Sequence, residues 1–326
     1  MTEEYKIEMP EGVFKESKKV RYIKGEKRND DSFPSPTRQE HLALQRGMNV
    51  QKANFLINEG HFDLTLREQK IACYMASLLR PEEIDAEDEY ISYKIEYVVN
   101  IGEVIDVLGL PKGGNAYKQI KESFKSLRDK SAWITLPNGR NSAVAWFDRV
   151  EEDPDTKEMH VKFDDRIVPY ITALRDNFLL FSLVNILPMK HKYSIALYES
   201  LKSFYCYKMC KYHIRRSDEL EVKLNKAKNK FNQKIKYQVT PDEVRTWLCL
   251  NGKKKYNSFT NLENEIKKAI EEINKYTEMH VEYERPGKGR GVQVKYITFE
   301  IWIDKDETLQ KIINNNLLDS VQKDVS

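Results

Sequence analysis

Laid on itself with an offset of 140 residues, the chain repeats. KIEYVVNIGEV at 94–104 matches KIKYQVTPDEV at 234–244, and Leu108 and Leu110 fall on Leu248 and Leu250. A repeat of this span means two similar units, so any fold proposed for one must also suit the other.

Each copy begins with alternating apolar residues, Ile95, Tyr97 and Val99 or Ile235, Tyr237 and Val239, which predict a short half-buried strand. Asn100 or Thr240 then caps a short helix, with Glu103 or Glu243 placed to close a capping box and Pro241 at a position where its missing N–H costs nothing. The helix ends near Gly109 in one copy and near Asn251-Gly252 in the other. A longer amphipathic helix follows, marked by Tyr117, Ile120, Phe124 and Leu127, and by Tyr256, Phe259, Leu262, Ile266, Ile270 and Ile273. Two helices joined by a short turn predict a helix-turn-helix.

A strand, a turn and a second strand come next. In the first copy these are Ser131–Leu136, Pro137-Asn-Gly-Arg140 and Ser142–Phe147; in the second, the strand from His280 leads through a glycine-rich tip, PGKGRG at 286–291, into a strand from Val292. Leading helices are expected from the capping box Thr65-Leu-Arg-Glu68 through Leu79, and over Lys192–Phe204. The predicted fold class is therefore α+β, with two tandem winged-helix domains. The expected division is a flexible arm at 1–47, a first winged helix at 48–170, a second at 171–304 and a tail at 305–326. The locally basic arm suits either a solvated tail or a DNA-following segment.

Net charge of +3 says little, but its distribution is uneven: residues 186–303 carry +10 and the rest −7. A basic half is the footprint of a polyanion-binding surface. On the long helix of the second unit, Asn257, Asn261, Asn264, Lys268 and Lys275 lie opposite the apolar stripe, behind Lys253, Lys254 and Lys255 in the turn. Asparagine can pair bidentately with adenine in the major groove, and lysines at a helix entrance can hold phosphates. Lys288 and Arg290 would add charge at the wing tip. An ordinary solvated helix face is the alternative, and Glu263, Glu265, Glu271 and Glu272 dilute the positive charge.

In the first unit Lys118, Lys121, Lys125 and Arg128 form a stripe suited to snorkelling or to phosphate contact. Residues 48–165 hold 15 Lys and Arg against 22 Asp and Glu, which favours a secondary DNA contact or protein pairing there.

Sequence motifs for catalysis are missing. None of the six histidines forms the His-x-His pair of a rolling-circle nuclease, and no G-x-x-x-x-G-K-[ST], Gly-x-Ser-x-Gly or His-Glu-x-x-His stretch occurs. Cys206, Cys210 and His213 have the wrong spacing for common zinc frameworks, so no metal or other cofactor is expected and the chain reads as a non-enzyme. The charged amino terminus, MTEEYKIEMP, lacks the apolar core of a signal peptide, and no apolar run is long enough to span a bilayer, so a cytoplasmic location without membrane attachment is expected.

Four stretches taken in order, NVQKANFLI at 49–57, LTLREQKI at 64–71, YSIALYESLK at 193–202, and YNSF at 256–259 through GRGV at 289–292, resemble the replication initiator proteins of iteron-containing, theta-replicating bacterial plasmids. The resemblance implies two winged-helix domains that bind direct repeats at the origin and promote opening of an A·T-rich duplex, without catalysis. It implies recruitment of host partners, among them the host replication initiator and the replicative helicase, and a homodimer joined through the first domain, in equilibrium with monomer, that represses its own gene. The helix from Asn257 to Lys268 would enter the major groove, with Lys288 and Arg290 along the backbone. Members often carry arginine where this chain has Ile195, and are often more basic where it has Glu263 and Glu265. A winged-helix transcriptional regulator with no role in replication is the alternative.

Overall fold

The computed structural model describes residues 49–79, 95–110, 114–136, 139–171, 178–209, 221–222, 233–284 and 294–303. The arm, the tail, Cys210 and His213, the Pro137-Asn138 turn and the wing tip with Lys288 and Arg290 lie outside them. The strands are β1 (Asn49–Ala53), β2 (Glu96–Asn100), β3 (Ser131–Thr135), β4 (Asn141–Ala145), β5 (Phe147–Asp153), β6 (Glu158–Phe163), β7 (Phe178–Ser182), β8 (Ile235–Val239), β9 (Met279–Glu284) and β10 (Ile297–Ile303). The α-helices are α1 (Asn54–Glu59), α2 (Leu66–Leu78), α3 (Ile101–Val107), α4 (Gly114–Asp129), α5 (Ser194–Lys208), α6 (Pro241–Trp247) and α7 (Phe259–Tyr276).

Two compact units result. Among the described residues the first takes 49–53, 67–171 and 180–187, and the second takes 54–66, 178–179 and everything from 188 onward. The segment 54–66, expected in the first domain, thus belongs to the second packing unit.

In the first unit, β2 leads into α3, a turn, α4, and then two hairpins. The β2-β6-β5 sheet is antiparallel, with β6 at its centre and Tyr97 opposite Val161. Its core is aromatic: Phe147 sits 5.2 Å from Phe163 and 5.9 Å from Phe124 between ring centroids, and Tyr97 meets Phe163 edge-on at 5.9 Å. Ile120, Phe124 and Leu127 of α4 are fully buried, which fixes the helix on the sheet.

The wing of this unit is not where the sequence placed it. By topology β5 and β6 match β9 and β10, since in both units the last strand is central and pairs with the strand that opens the repeat. The expected pair, β3 and β4, forms a separate two-stranded sheet inserted before the wing. A register shift between Phe147 and Arg149 breaks the period-two alternation that would have revealed β5, and the polar run Glu151-Glu152-Asp153 disguises the rest.

The second unit repeats the plan as α5, β8, α6, α7, β9 and β10, with sheet order β8-β10-β9. Phe299 on the central strand lies opposite both Tyr237 and Tyr283, and Ile297, Phe299 and Ile301 are fully buried. Leu262, Ile266, Ala269 and Ile273 of α7 also have no exposed surface. Burying apolar side chains of this size contributes about 1.5–3 kcal/mol each, Ala269 less, so this stripe sets the helix's rotation. Lys202 of α5 is buried against Glu278 and Tyr198. Burial opposes its charge, but Tyr198 and Glu278 outweigh burial and raise its pKa.

The caps show where the two copies agree and where they diverge. Thr240 closes the predicted capping box with Glu243. Asn100 instead accepts from Gly102 N at 2.8 Å, one residue earlier than a box requires. Both short helices then end in the same Schellman turn: Leu110 N donates to Ile105 O and Leu250 N to Arg245 O, with Gly109 at φ 63° and Cys249 at φ 52° in the left-handed region. A Cβ at Gly109 would meet nothing within 4 Å, so any cost of adding one is backbone strain. Gly109→Ala is expected to lower stability by about 1 kcal/mol in urea unfolding with secondary structure unchanged.

Candidate nucleic-acid interface

The second helix-turn-helix is α6, the residues 248–258 and α7. Arg245 on α6 holds the turn from inside, donating to Tyr256 O at 2.8 Å and Asn257 O at 3.4 Å while its other nitrogen meets Asp242. Asn261, on the first turn of α7, donates to Lys255 O at 2.7 Å. Asn261 is therefore half-buried and engaged with the turn, in contrast to its expected place on the open face. Asn257 lies in a short 3-10 turn, Lys254–Asn257, ahead of the helix proper, with its side chain exposed.

Asn264 and Lys268 are exposed one turn apart on α7, on the face opposite the buried stripe. The glutamates expected to dilute this face mostly do not lie on it. Glu263 and Glu265 are 7% and 8% exposed. Glu263 accepts from Tyr283 and pairs with Lys267 at 3.1 Å, while Glu265 meets Tyr256 at 3.4 Å and His191 at 3.4 Å. Glu272 accepts from the backbone of Lys190 and His191 and from the Ser194 hydroxyl, closing the entrance to α5. Of the four acids, Glu271 alone is exposed. The outward surface of α7 is thus more positive than its sequence suggests.

The turn lysines are partly committed. Lys255 is exposed, 3.7 Å from Glu265 and over the Tyr256 ring at 5.1 Å; Lys254 is exposed. Lys253 bonds Asp63 Oδ2 at 2.8 Å, and Lys192 bonds the other oxygen of the same carboxylate at 2.9 Å. Burial would raise the Asp63 pKa, but the two ammonium groups hold it below the ordinary carboxylate range. Arg245, Asp63 and Lys192 went unnoticed in the sequence, because nothing local marks partners separated by 190 residues in the case of Asp63 and Lys253.

On the first unit, Lys118, Lys121, Lys125 and Arg128 are all exposed along α4. Lys121 is paired with Glu152 on the wing strand, which also accepts from Tyr117 at 3.1 Å, and Arg128 bonds Asp129 at 2.7 Å. Lys121, Lys125 and Arg128 line an open groove of about 250 Å³ with Val150, Glu152 and Met159. The wing turn here, Asp153-Pro-Asp-Thr-Lys157, carries two acids where the second unit's tip carries Lys288 and Arg290.

Among the described residues no group of three His, Cys, Asp or Glu gathers as a metal site, and no helix is long and apolar enough to cross a membrane.

These two units, each a helix-turn-helix closed by a three-stranded antiparallel wing sheet, define a tandem winged-helix protein. The profile of the initiator replication protein WH1 domain matches residues 49–202 and that of the initiator Rep protein WH2 domain matches residues 240–301, together about two thirds of the chain. The chain belongs to the initiator Rep protein family. The first match runs into α5, whose packing partners Glu272 and Glu278 belong to the second unit.

Among solved structures, the Pi initiator protein in complex with iteron DNA aligns with a TM-score of 0.57 at 20% identity, covering 80% of this chain and 99% of that one. RctB domains 2-3 align at a TM-score of 0.35 and 12% identity, covering 65% of this chain and 76% of that one. The MSBI1.176 WH1 domain, from a replication protein isolated from a multiple sclerosis patient, aligns at 0.25 and 20%, covering 36% and 88%. No curated protein matches the sequence.

Arg245 is half the brace of the turn, so Arg245→Met should lower the stability of the second unit by about 2 kcal/mol, from lost charge-assisted hydrogen bonds. Hydrogen exchange checks it: amides of residues 253–258 should lose protection before those of α7.

Proposed function

We propose that the chain is a sequence-specific, double-stranded-DNA-binding initiator of plasmid replication that binds direct repeats at the origin and promotes origin opening. The observation that carries this reading, beyond family membership, is the outward face of α7. Three of its four glutamates turn into the domain or onto α5, while Asn264 and Lys268 stand exposed behind a turn of three consecutive lysines. A helix so arranged can read base edges with Asn264 and hold phosphates with its lysines. The Pi initiator, whose structure includes iteron DNA, has the same overall fold.

The first unit has a different task. Exposed Lys118 and Lys125 on α4 suit a secondary DNA contact, which the acidic wing and the pairing of Lys121 and Arg128 keep weak, and the β3-β4 sheet suits pairing with a second copy. Trp133 on β3 is 71% exposed opposite Ala143, an apolar spot on an otherwise mixed outer face that association would cover. A homodimer formed there represses the gene, and the monomer binds the origin. Host replication proteins join the monomer on DNA, and the work is done in the cytoplasm by binding alone, without catalysis.

A plasmid carrying only this gene and its flanking repeats tests the replication role; failure of autonomous maintenance, with repeat binding intact, would leave a transcriptional regulator. Within the interface, Asn264→Ala should change base preference, whereas Lys288→Ala with Arg290→Ala should weaken binding to every sequence and flatten the salt dependence by about two phosphate contacts. An unchanged slope removes the wing from the interface. Trp133→Ser should shift the dimer toward monomer in light scattering while leaving duplex binding by monomer unchanged.

A further inference from the structure

One cluster in the second unit joins a lysine of the helix-turn-helix turn to two residues outside that motif. Lys192 stands two residues before α5, Lys253 lies within the 248–258 turn just ahead of its 3-10 segment, and Asp63 comes from the segment between α1 and α2. Three remote stretches of chain thus converge, with both Asp63 oxygens occupied by ammonium groups at 2.9 and 2.8 Å. Two ammonium groups bound to one carboxylate lie within about 6 Å of each other, the span over which they could share one phosphate. The three side chains are 37%, 38% and 51% exposed for Lys192, Lys253 and Asp63, so solvent and ligand reach them. The Lys192 ammonium also lies over the Tyr193 ring at 5.6 Å, which limits where it can move.

We propose that Lys192 and Lys253 form a phosphate-binding point beside the helix-turn-helix turn, and that Asp63 occupies this point until DNA phosphate displaces it. The proposal rests on the DNA-binding reading above and adds to it a residue, Lys192, that no sequence signal marked, together with a competitor built into the fold. Exposed ion pairs contribute little to stability, so exchanging a carboxylate for a phosphate is cheap once the protein is seated. Until then, Asp63 cancels one of the two charges. A duplex that makes only backbone contacts gains one counterion release fewer than the lysine pair could give, and loses affinity accordingly. Asp63 therefore acts as a specificity determinant: it lowers binding to arbitrary sequence, where phosphate contacts are all there is.

The test is anisotropy titration of the full chain on a random-sequence duplex over a range of salt. Asp63→Asn should bind more tightly at low salt and steepen the log–log slope by about 0.9, so that its advantage over wild type shrinks about threefold between roughly 50 and 200 mM salt. Lys192→Ala should flatten the wild-type slope, and in the Lys192→Ala background Asp63→Asn should still tighten binding through Lys253. All are exposed substitutions, and unchanged thermal unfolding shows that each variant is folded. If Asp63→Asn leaves affinity unchanged or weakens it, the carboxylate is a brace for the turn and the proposal falls. It falls equally if Lys192→Ala leaves the slope unchanged. Wild-type protein that binds no duplex at any salt would instead overturn the DNA-binding reading itself, and this proposal with it.

Discussion

The second unit depends on the burial of one face of α7. Leu262, Ile266, Ala269 and Ile273 can reach the interior together only at one rotation of the helix, and that rotation decides everything on its outer side. It places Asn264 and Lys268 outward, and it sends Glu263 and Glu265 to the flanks, where Tyr283, Lys267, Tyr256 and His191 receive them. Carboxylates so enclosed need partners, since burying an unpaired charge costs several kcal/mol. The helix therefore has acids that serve packing and cations that serve the surface, although both sit within a few residues of each other in sequence.

The repeat shows how one backbone plan acquires two surfaces. Strand, cap, short helix, Schellman turn, long helix and wing recur, down to the left-handed residue at Gly109 and Cys249. What differs is chemistry at the edges. The second copy's wing tip holds Lys288 and Arg290, whereas the first copy's turn reads Asp153-Pro-Asp-Thr-Lys157 and its neighbouring Glu152 takes Lys121 out of play. An acidic wing beside a duplex would meet the phosphates with like charge. The first copy also gains the β3-β4 sheet, with Trp133 exposed, where the second has nothing comparable among the described residues. Shared core residues preserve the fold, and the loops carry the differences in charge.

Much of this was legible in the sequence because the repeat supplied two readings of each element. The caps at Asn100 and Thr240, the end at Gly109 and the amphipathic helices follow from local rules of backbone and periodicity, whereas the second short helix ends at Cys249, three residues before the glycine that sequence favours. The first unit's wing escaped because a bulge after Phe147 shifts the strand's alternation, and because a strand edged with glutamate and aspartate looks like a loop. The site was legible only in outline. Helical spacing puts Asn261 and Asn264 on neighbouring positions, but it cannot say that Asn261 turns back to the Lys255 carbonyl. Nor can it foresee that Asp63 finds Lys253, since that pairing is made by the tertiary fold alone.

Segment charge is a coarse measure of what the helix-turn-helix of the second unit presents at its surface. Of the 24 lysines and arginines in 186–303, seven fall in 211–230, well away in sequence from the helix-turn-helix. Near the turn, Lys253 and Lys255 each face a carboxylate, and Arg245 is spent on the turn's own carbonyls. The field that a duplex meets is set by which acids the fold sends outward, more than by how many cations the segment holds. Glu263, Glu265 and Glu272 are drawn away from the outer face of α7, while Asp63 is brought to its entrance from elsewhere in the chain. Sequence-specific binding requires that backbone attraction be held in check, so that base contacts decide where the protein rests. In the proposed DNA-binding role, a helix that exposes one of its four glutamates, with one further acid held at its entrance, meets both halves of that requirement.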